Sequence, residues 1–107
     1  MTTQFTGQNF KDEVIDKSKT TPVLVDFYAS WCGPCQMQAP IIEELSEELK
    51  EKAVIGKLST EEYPEIAANY GIMSIPTLLI FKDGAVVEEM IGLRDKESLI
   101  QQIEKYV

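Results

Sequence analysis

Cys32 and Cys35 are the only cysteines of a 107-residue chain that contains no histidine. They stand three apart in "ASWCGPC", with Gly33-Pro34 between them and Trp31 in front. Two thiols so spaced can form a structural staple, half of a metal site, or a reaction centre. A staple closing so short a loop removes little entropy from the unfolded chain, and structural disulfides are rare in the cytosol. Structural zinc takes four Cys or His ligands, so two cysteines would serve only a metal shared between two chains. The reaction centre makes fuller use of the spacing. Residues i and i+3 of a helix hold their Cβ atoms about 5–6 Å apart, near what a disulfide requires, so oxidised and reduced states are both accessible.

If the pair opens a helix, the unpaired N–H groups and positive dipole end there favour a thiolate at the first position. Cys32 is then the nucleophile. Cys35, one turn inside, keeps its proton until it resolves a mixed disulfide. Gly33 lets a substrate backbone approach, and Pro34 gives up an N–H that a helix start leaves unpaired, although both also suit an ordinary helix start.

Asp26 interrupts "VLVDFYA", whose other residues all favour burial. A buried carboxylate without a partner resists ionisation, so its pKa should rise and it could take the Cys35 proton; the alternative is a carboxylate at an exposed edge. Lys57, the sole charge in "AVIGKL", is either its counter-charge on a neighbouring strand or a surface lysine with a buried stem. In "GIMSIPTLLIF", Pro76 can open a strand in trans, or a cis Ile75-Pro76 bond can present the Ile75 backbone to an extended peptide.

These groups must be positioned by the elements around them. "TGQNFKDEVIDKSK" predicts a helix with Phe10, Val14 and Ile15 inward and Asn9 as N-cap, followed by the buried strand "PVLVDFYA". The longest helix, "PCQMQAPIIEELSEELKEK", carries Met37, Ile41, Ile42, Leu45 and Leu49 as its apolar stripe, with Pro40 expected to kink it. "AVIGKL" reads as a strand, "YPEIAANYG" as a short helix ended by Gly71, and "PTLLIFKDGAVVEEMI" as a hairpin turning at Asp83-Gly84. "RDKESLIQQIEKYV" closes the chain as a helix, with Leu99, Ile103 and Tyr106 on one face and Ile100 and Val107 beside them. A short extra strand at residues 3 to 6 completes an α/β domain spanning 1–107: a mixed sheet with helices on both faces. The cysteines fall at the carboxyl end of a strand.

Ten Lys plus Arg against 18 Asp plus Glu give a net charge of -8, which repels nucleic acid and anionic lipid. The first 20 residues lack an apolar signal core, and no apolar stretch is long enough to span a membrane. The expectation is a cytoplasmic protein, with no hint of an oligomer.

"VDFYASWCGPCQMQAP", "NYGIMSIPTLLIFKDG" and "IGL" together resemble the thioredoxin family, and the resemblance runs from Phe10 to Tyr106. It implies a five-stranded mixed sheet with four helices and the activity of a general protein-disulfide reductase. By resemblance, Cys32 attacks, Cys35 resolves, Asp26 serves Cys35 with Lys57 near it, and Gly33 and Pro34 tune the potential. Pro76 matches the family's cis-proline. Trp31, Met73, Ser74, Ile75, Gly92 and Leu93 match the apolar rim that receives substrate. The resemblance implies no bound cofactor; electrons come from NADPH through a thioredoxin reductase. Gln36, Tyr28, Met73 and the "KLSTEE" stretch depart from common family residues, which bears on partners and potential. Two other readings stand beside this one: a disulfide oxidase or isomerase, and a redox-independent subunit using the Trp31, Ile75 and Leu93 surface.

Overall fold

The computed structural model describes residues 2–107. Five strands, β1 (Thr3–Phe5), β2 (Val23–Tyr28), β3 (Val54–Ser59), β4 (Thr77–Lys82) and β5 (Ala85–Ile91), form one sheet in the order β1-β3-β2-β4-β5. The first three run parallel, β4 is antiparallel to β2, and β5 is antiparallel to β4. The short strand expected near residues 3 to 6 is therefore present, as an edge. Asp83 and Gly84, both at positive φ, make the tight turn that joins β4 to β5.

Side-chain alternation along β2 divides the core in two. Val23, Val25 and Phe27 pack with Phe5, Phe10, Val14 and Phe81 on one face, while Leu24 packs with Ile42, Leu45, Leu78 and Leu99 on the other. The second face is covered by α1 (Gly33–Glu48) and α3 (Lys96–Glu104). The first face is covered by α2 (Pro64–Asn69) and by a helical segment that is π-helical over Lys11–Asp16 and 3-10 over Lys17–Lys19. Four helical segments on a five-stranded mixed sheet make the thioredoxin fold.

Two local expectations change. Asn9 does not cap the first helix with its side chain: its Oδ1 accepts from the Thr6 N–H at 2.7 Å, leaving only its backbone carbonyl to receive the Glu13 N–H at 2.8 Å. Met37 faces solvent, and Gln38 lies inside. The buried stripe of α1 is Cys35, Gln38, Ile42 and Leu45, continued by Leu49, a run of alternating three- and four-residue steps. Pro40 lies on the exposed side, and α1 passes through it without a break.

Candidate active site

β2 delivers the chain to its carboxyl end at Tyr28, and Cys32 then becomes the N-cap of α1 in extended conformation, φ -88° and ψ 115°. Gly33 and Pro34 occupy the first helical positions, where the absent proline N–H leaves no bond unmade. The backbone N–H of Cys35 donates to Cys32 Sγ at 3.2 Å, so the sulfur takes the place that a serine or aspartate oxygen holds in an ordinary cap. The two sulfurs are bonded, with Cα atoms 5.2 Å apart. The structure is thus the oxidised form. Cys32 and Cys35 are almost equally covered, so it is hydrogen bonding and helix position that distinguish them.

Across from the helix start, Cys32 Sγ lies 3.8 Å from the Ile75 carbonyl oxygen, and the Ile75–Pro76 bond is cis. The Thr77 hydroxyl holds the Ser74 carbonyl at 2.6 Å, and the Gly92 N–H donates to the Pro76 carbonyl at 2.9 Å. Apolar side chains stand around this junction. Trp31 is 72% exposed, Met73 96% and Leu93 43%, with half-buried Ile75 packed against the cysteines.

Asp26 shares the α1 side of β2 with Leu24, because strand side chains alternate. It is 2% exposed, and its Oδ1 has no hydrogen-bond partner among the described residues. Burial pushes its pKa up to about 7, outweighing the positive charge of Lys57, which pulls the other way. Lys57 is the register partner of Asp26 on β3, yet no ion pair joins them among the described residues. Its ammonium lies 5.3 Å from the centre of the Tyr28 ring. Asp26, Lys57, Tyr28 and Cys35 line one cavity of about 140 Å³, together with Ala29, Ser30, Gln36 and Ala39.

The sequence did not reveal what holds the turn before Cys32. Glu61 accepts from both the N–H and the hydroxyl of Ser30, at 2.8 and 2.9 Å, which keeps its carboxyl below the usual range. From the other side, the Gln36 side-chain amide donates to the Ser30 carbonyl at 3.1 Å. No periodicity marks such bonds. Among the described residues no group of three or more Cys, Asp or Glu could hold a metal ion.

The thioredoxin family model matches residues 1–105. Relatives include a thioredoxin of Chlorobaculum thiosulfatiphilum, 48% identical over 95% of this chain and 93% of its own. Thioredoxin 1 of a Nostoc species is 46% identical, covering 97% and 95%. A thioredoxin of Rickettsia felis is 47% identical over the whole of both chains.

The chain belongs to the thioredoxin family. Thioredoxins are thiol–disulfide oxidoreductases without a prosthetic group, and this protein is a protein-disulfide reductase whose redox centre is the Cys32–Cys35 pair. Reductases of this family interact with thioredoxin reductase and with disulfide-containing substrates. No helix among the described residues is long and apolar enough to cross a membrane.

Proposed function

We propose that Cys32 opens substrate disulfides, Cys35 resolves them, and Asp26 handles the proton between the two steps. The observation that carries the assignment is the bond from the Cys35 N–H to Cys32 Sγ at the helix N-cap. In the reduced protein, the same donor and the positive end of α1 favour negative charge on Cys32.

The Cys32 thiolate attacks one sulfur of the substrate disulfide, forming a mixed disulfide and expelling the other sulfur as a thiolate that takes a proton from solvent. Cys35 then gives its proton to the Asp26 carboxylate, directly or through water in the shared cavity. The Cys35 thiolate attacks Cys32 Sγ and releases the second substrate sulfur. Two electrons have passed to substrate, and the protein is left as the disulfide seen here. A group with a pKa of about 7 is suited to this transfer, because near neutrality it can both accept and return a proton.

Trp31, Met73, Ser74, Ile75, Pro76, Gly92 and Leu93 form the rim that receives the chain flanking the substrate cystine. Gly33 allows close approach, Pro34 fixes the first turn, and Lys57 moderates Asp26 across the strand register. Residues 1–107 act as one domain and as a monomer in the cytoplasm, with NADPH as the electron source through thioredoxin reductase. Neither nucleic acid nor membrane is a partner, in keeping with the charge of -8.

Cys35→Ser tests the order of attack. It should accumulate long-lived mixed disulfides on Cys32, and Cys32→Ser should accumulate none. The same adducts on Cys35 in the Cys32→Ser protein would reverse the assignment. Titrating the pair against a dithiol buffer, followed by Trp31 fluorescence, should give a strongly reducing potential; a strongly oxidising one would favour the isomerase or oxidase reading.

A further inference from the structure

Gln38 is the only long polar side chain in the buried stripe of α1, and it is completely enclosed. Its amide spans the chain to Arg94: Nε2 donates to the Arg94 carbonyl at 3.0 Å, and Oε1 accepts from the Arg94 N–H at 2.8 Å. The side chain thus pairs with one backbone residue as a neighbouring strand would. An aliphatic residue could fill the same space at lower desolvation cost, but it could not fix where Arg94 sits.

Arg94 belongs to the four-residue link between β5 and α3, and that link is pinned at each end. The Gly92 N–H is bound to the Pro76 carbonyl at 2.9 Å, Arg94 is held by Gln38, and Asp95 caps α3 by accepting from the Ser98 N–H at 2.8 Å. Between these anchors Leu93 turns an apolar side chain outward. The contacts close a ring: Cys32 caps α1, α1 carries Gln38, Gln38 grips Arg94, Gly92 grips Pro76, and Ile75 meets Cys32 Sγ.

We propose that Gln38 is a positioning residue for protein substrates: its amide sets the wall of the groove at Gly92–Arg94 for the peptide flanking a disulfide, without touching the reacting sulfurs. This rests on the reductase reading, in which Leu93 lines the groove. Large substrates that lie along that wall depend on Gln38, and small disulfides that meet only Cys32 do not.

Two variants and two probes test it: a disulfide-bridged decapeptide with leucine and valine beside its cysteines, and 2-hydroxyethyl disulfide. Gln38→Leu should raise KM for the decapeptide about tenfold, a change of about 1.4 kcal/mol in binding, with kcat and the small-disulfide rate within about twofold of wild type. Gln38→Glu adds a pH signature. A protonated carboxyl can donate to the Arg94 carbonyl and accept from its N–H, recreating the pair, whereas a carboxylate presents no proton to that carbonyl. Its decapeptide-to-small-disulfide rate ratio, divided by the wild-type ratio at each pH, should approach one as pH falls and drop as pH rises. An unchanged KM in Gln38→Leu, equal losses on both probes, or a pH-independent ratio in Gln38→Glu overturns the proposal. Should circular dichroism show Gln38→Leu unfolded, the Gln38→Glu profile decides alone. Wild-type protein inert towards both probes would instead sink the reductase reading itself.

Discussion

Replacing Asp26 with asparagine should change the pH dependence of stability by an amount the structure sets. Unfolded, the carboxyl titrates near 3.8; folded, burial raises it to about 7. Between those values the native state holds a proton that the unfolded state has released, so stability falls as pH rises. The contribution is fully present below 3.8 and is lost as pH climbs through about 7. At about 1.36 kcal/mol per pH unit, the interval amounts to roughly 4 kcal/mol. The asparagine side chain of the variant has no such titration. The stability difference, variant minus wild type, should therefore grow by roughly 4 kcal/mol between pH 4 and pH 8, in favour of the variant. For a urea slope near 2 kcal/mol per M, the gap between midpoints widens by roughly 2 M. The assay is urea unfolding of both oxidised proteins by far-UV circular dichroism at unit pH steps, where subtraction cancels every other titrating group. A gap that moves by less than about 1 kcal/mol across the range, or closes as pH rises, would refute the argument. Turnover of the variant should fall at the resolving step.

Two further substitutions probe the scaffold. A methyl at Gly56 would overlap the fully buried Phe5 ring and the Thr3 carbonyl, so Gly56→Ala should cost about 1–3 kcal/mol and loosen β1. The check is a thermal melt, expected to drop by roughly 10 °C, and an unchanged melting temperature would show that the β1 edge yields without cost. Glu61→Ala removes the one oxygen that accepts from both Ser30 donors, so exchange of the Ser30 amide should quicken by about tenfold and Trp31 emission should shift. Undiminished protection would mean that Gln36 alone holds the turn.

The order of elements was legible because burial imposes a period. The continuous run of β2, the glutamate-flanked stripe of α1 and the Asp83-Gly84 turn each leave a local mark. Asp26 was legible for the opposite reason, as one carboxylate inside a run that favours burial. Gln38 belongs to the buried stripe, yet the sequence placed Met37 there instead, because the partner of Gln38 lies 56 residues away and Met37 beside it looked the better core residue. Ser18 escaped in the same way: its hydroxyl receives the Gly84 N–H across 66 residues and latches the hairpin turn. Glu61 reaches Ser30 across 31. Side-chain bonds to distant backbone groups have no period, so hydropathy and spacing do not register them. The π-helical path of Lys11–Asp16 was hidden too, because Phe10 and Val14 are buried at a spacing that an ordinary helix also satisfies.

The destabilisation at Asp26 and its proton affinity are one quantity seen twice. Moving a carboxyl from 3.8 to about 7 raises its affinity for a proton roughly a thousandfold, and the free energy involved is that by which ionisation weakens the fold. A nearer Lys57, or a wider opening to the cavity, would relieve the fold and weaken the proposed base together. The register explains how the compromise is held. Lys57 stands opposite Asp26 on β3, but its ammonium lies over the Tyr28 ring, so it lowers the carboxyl by less than burial raises it, without forming an ion pair. Drawing Lys57 into such a pair would return Asp26 towards an ordinary carboxylate, ionised near neutrality and too weak a base to take a thiol proton readily. A residue that both steadied the fold and kept the base strong would have to stabilise the protonated carboxyl, by accepting a hydrogen bond from it inside the cavity.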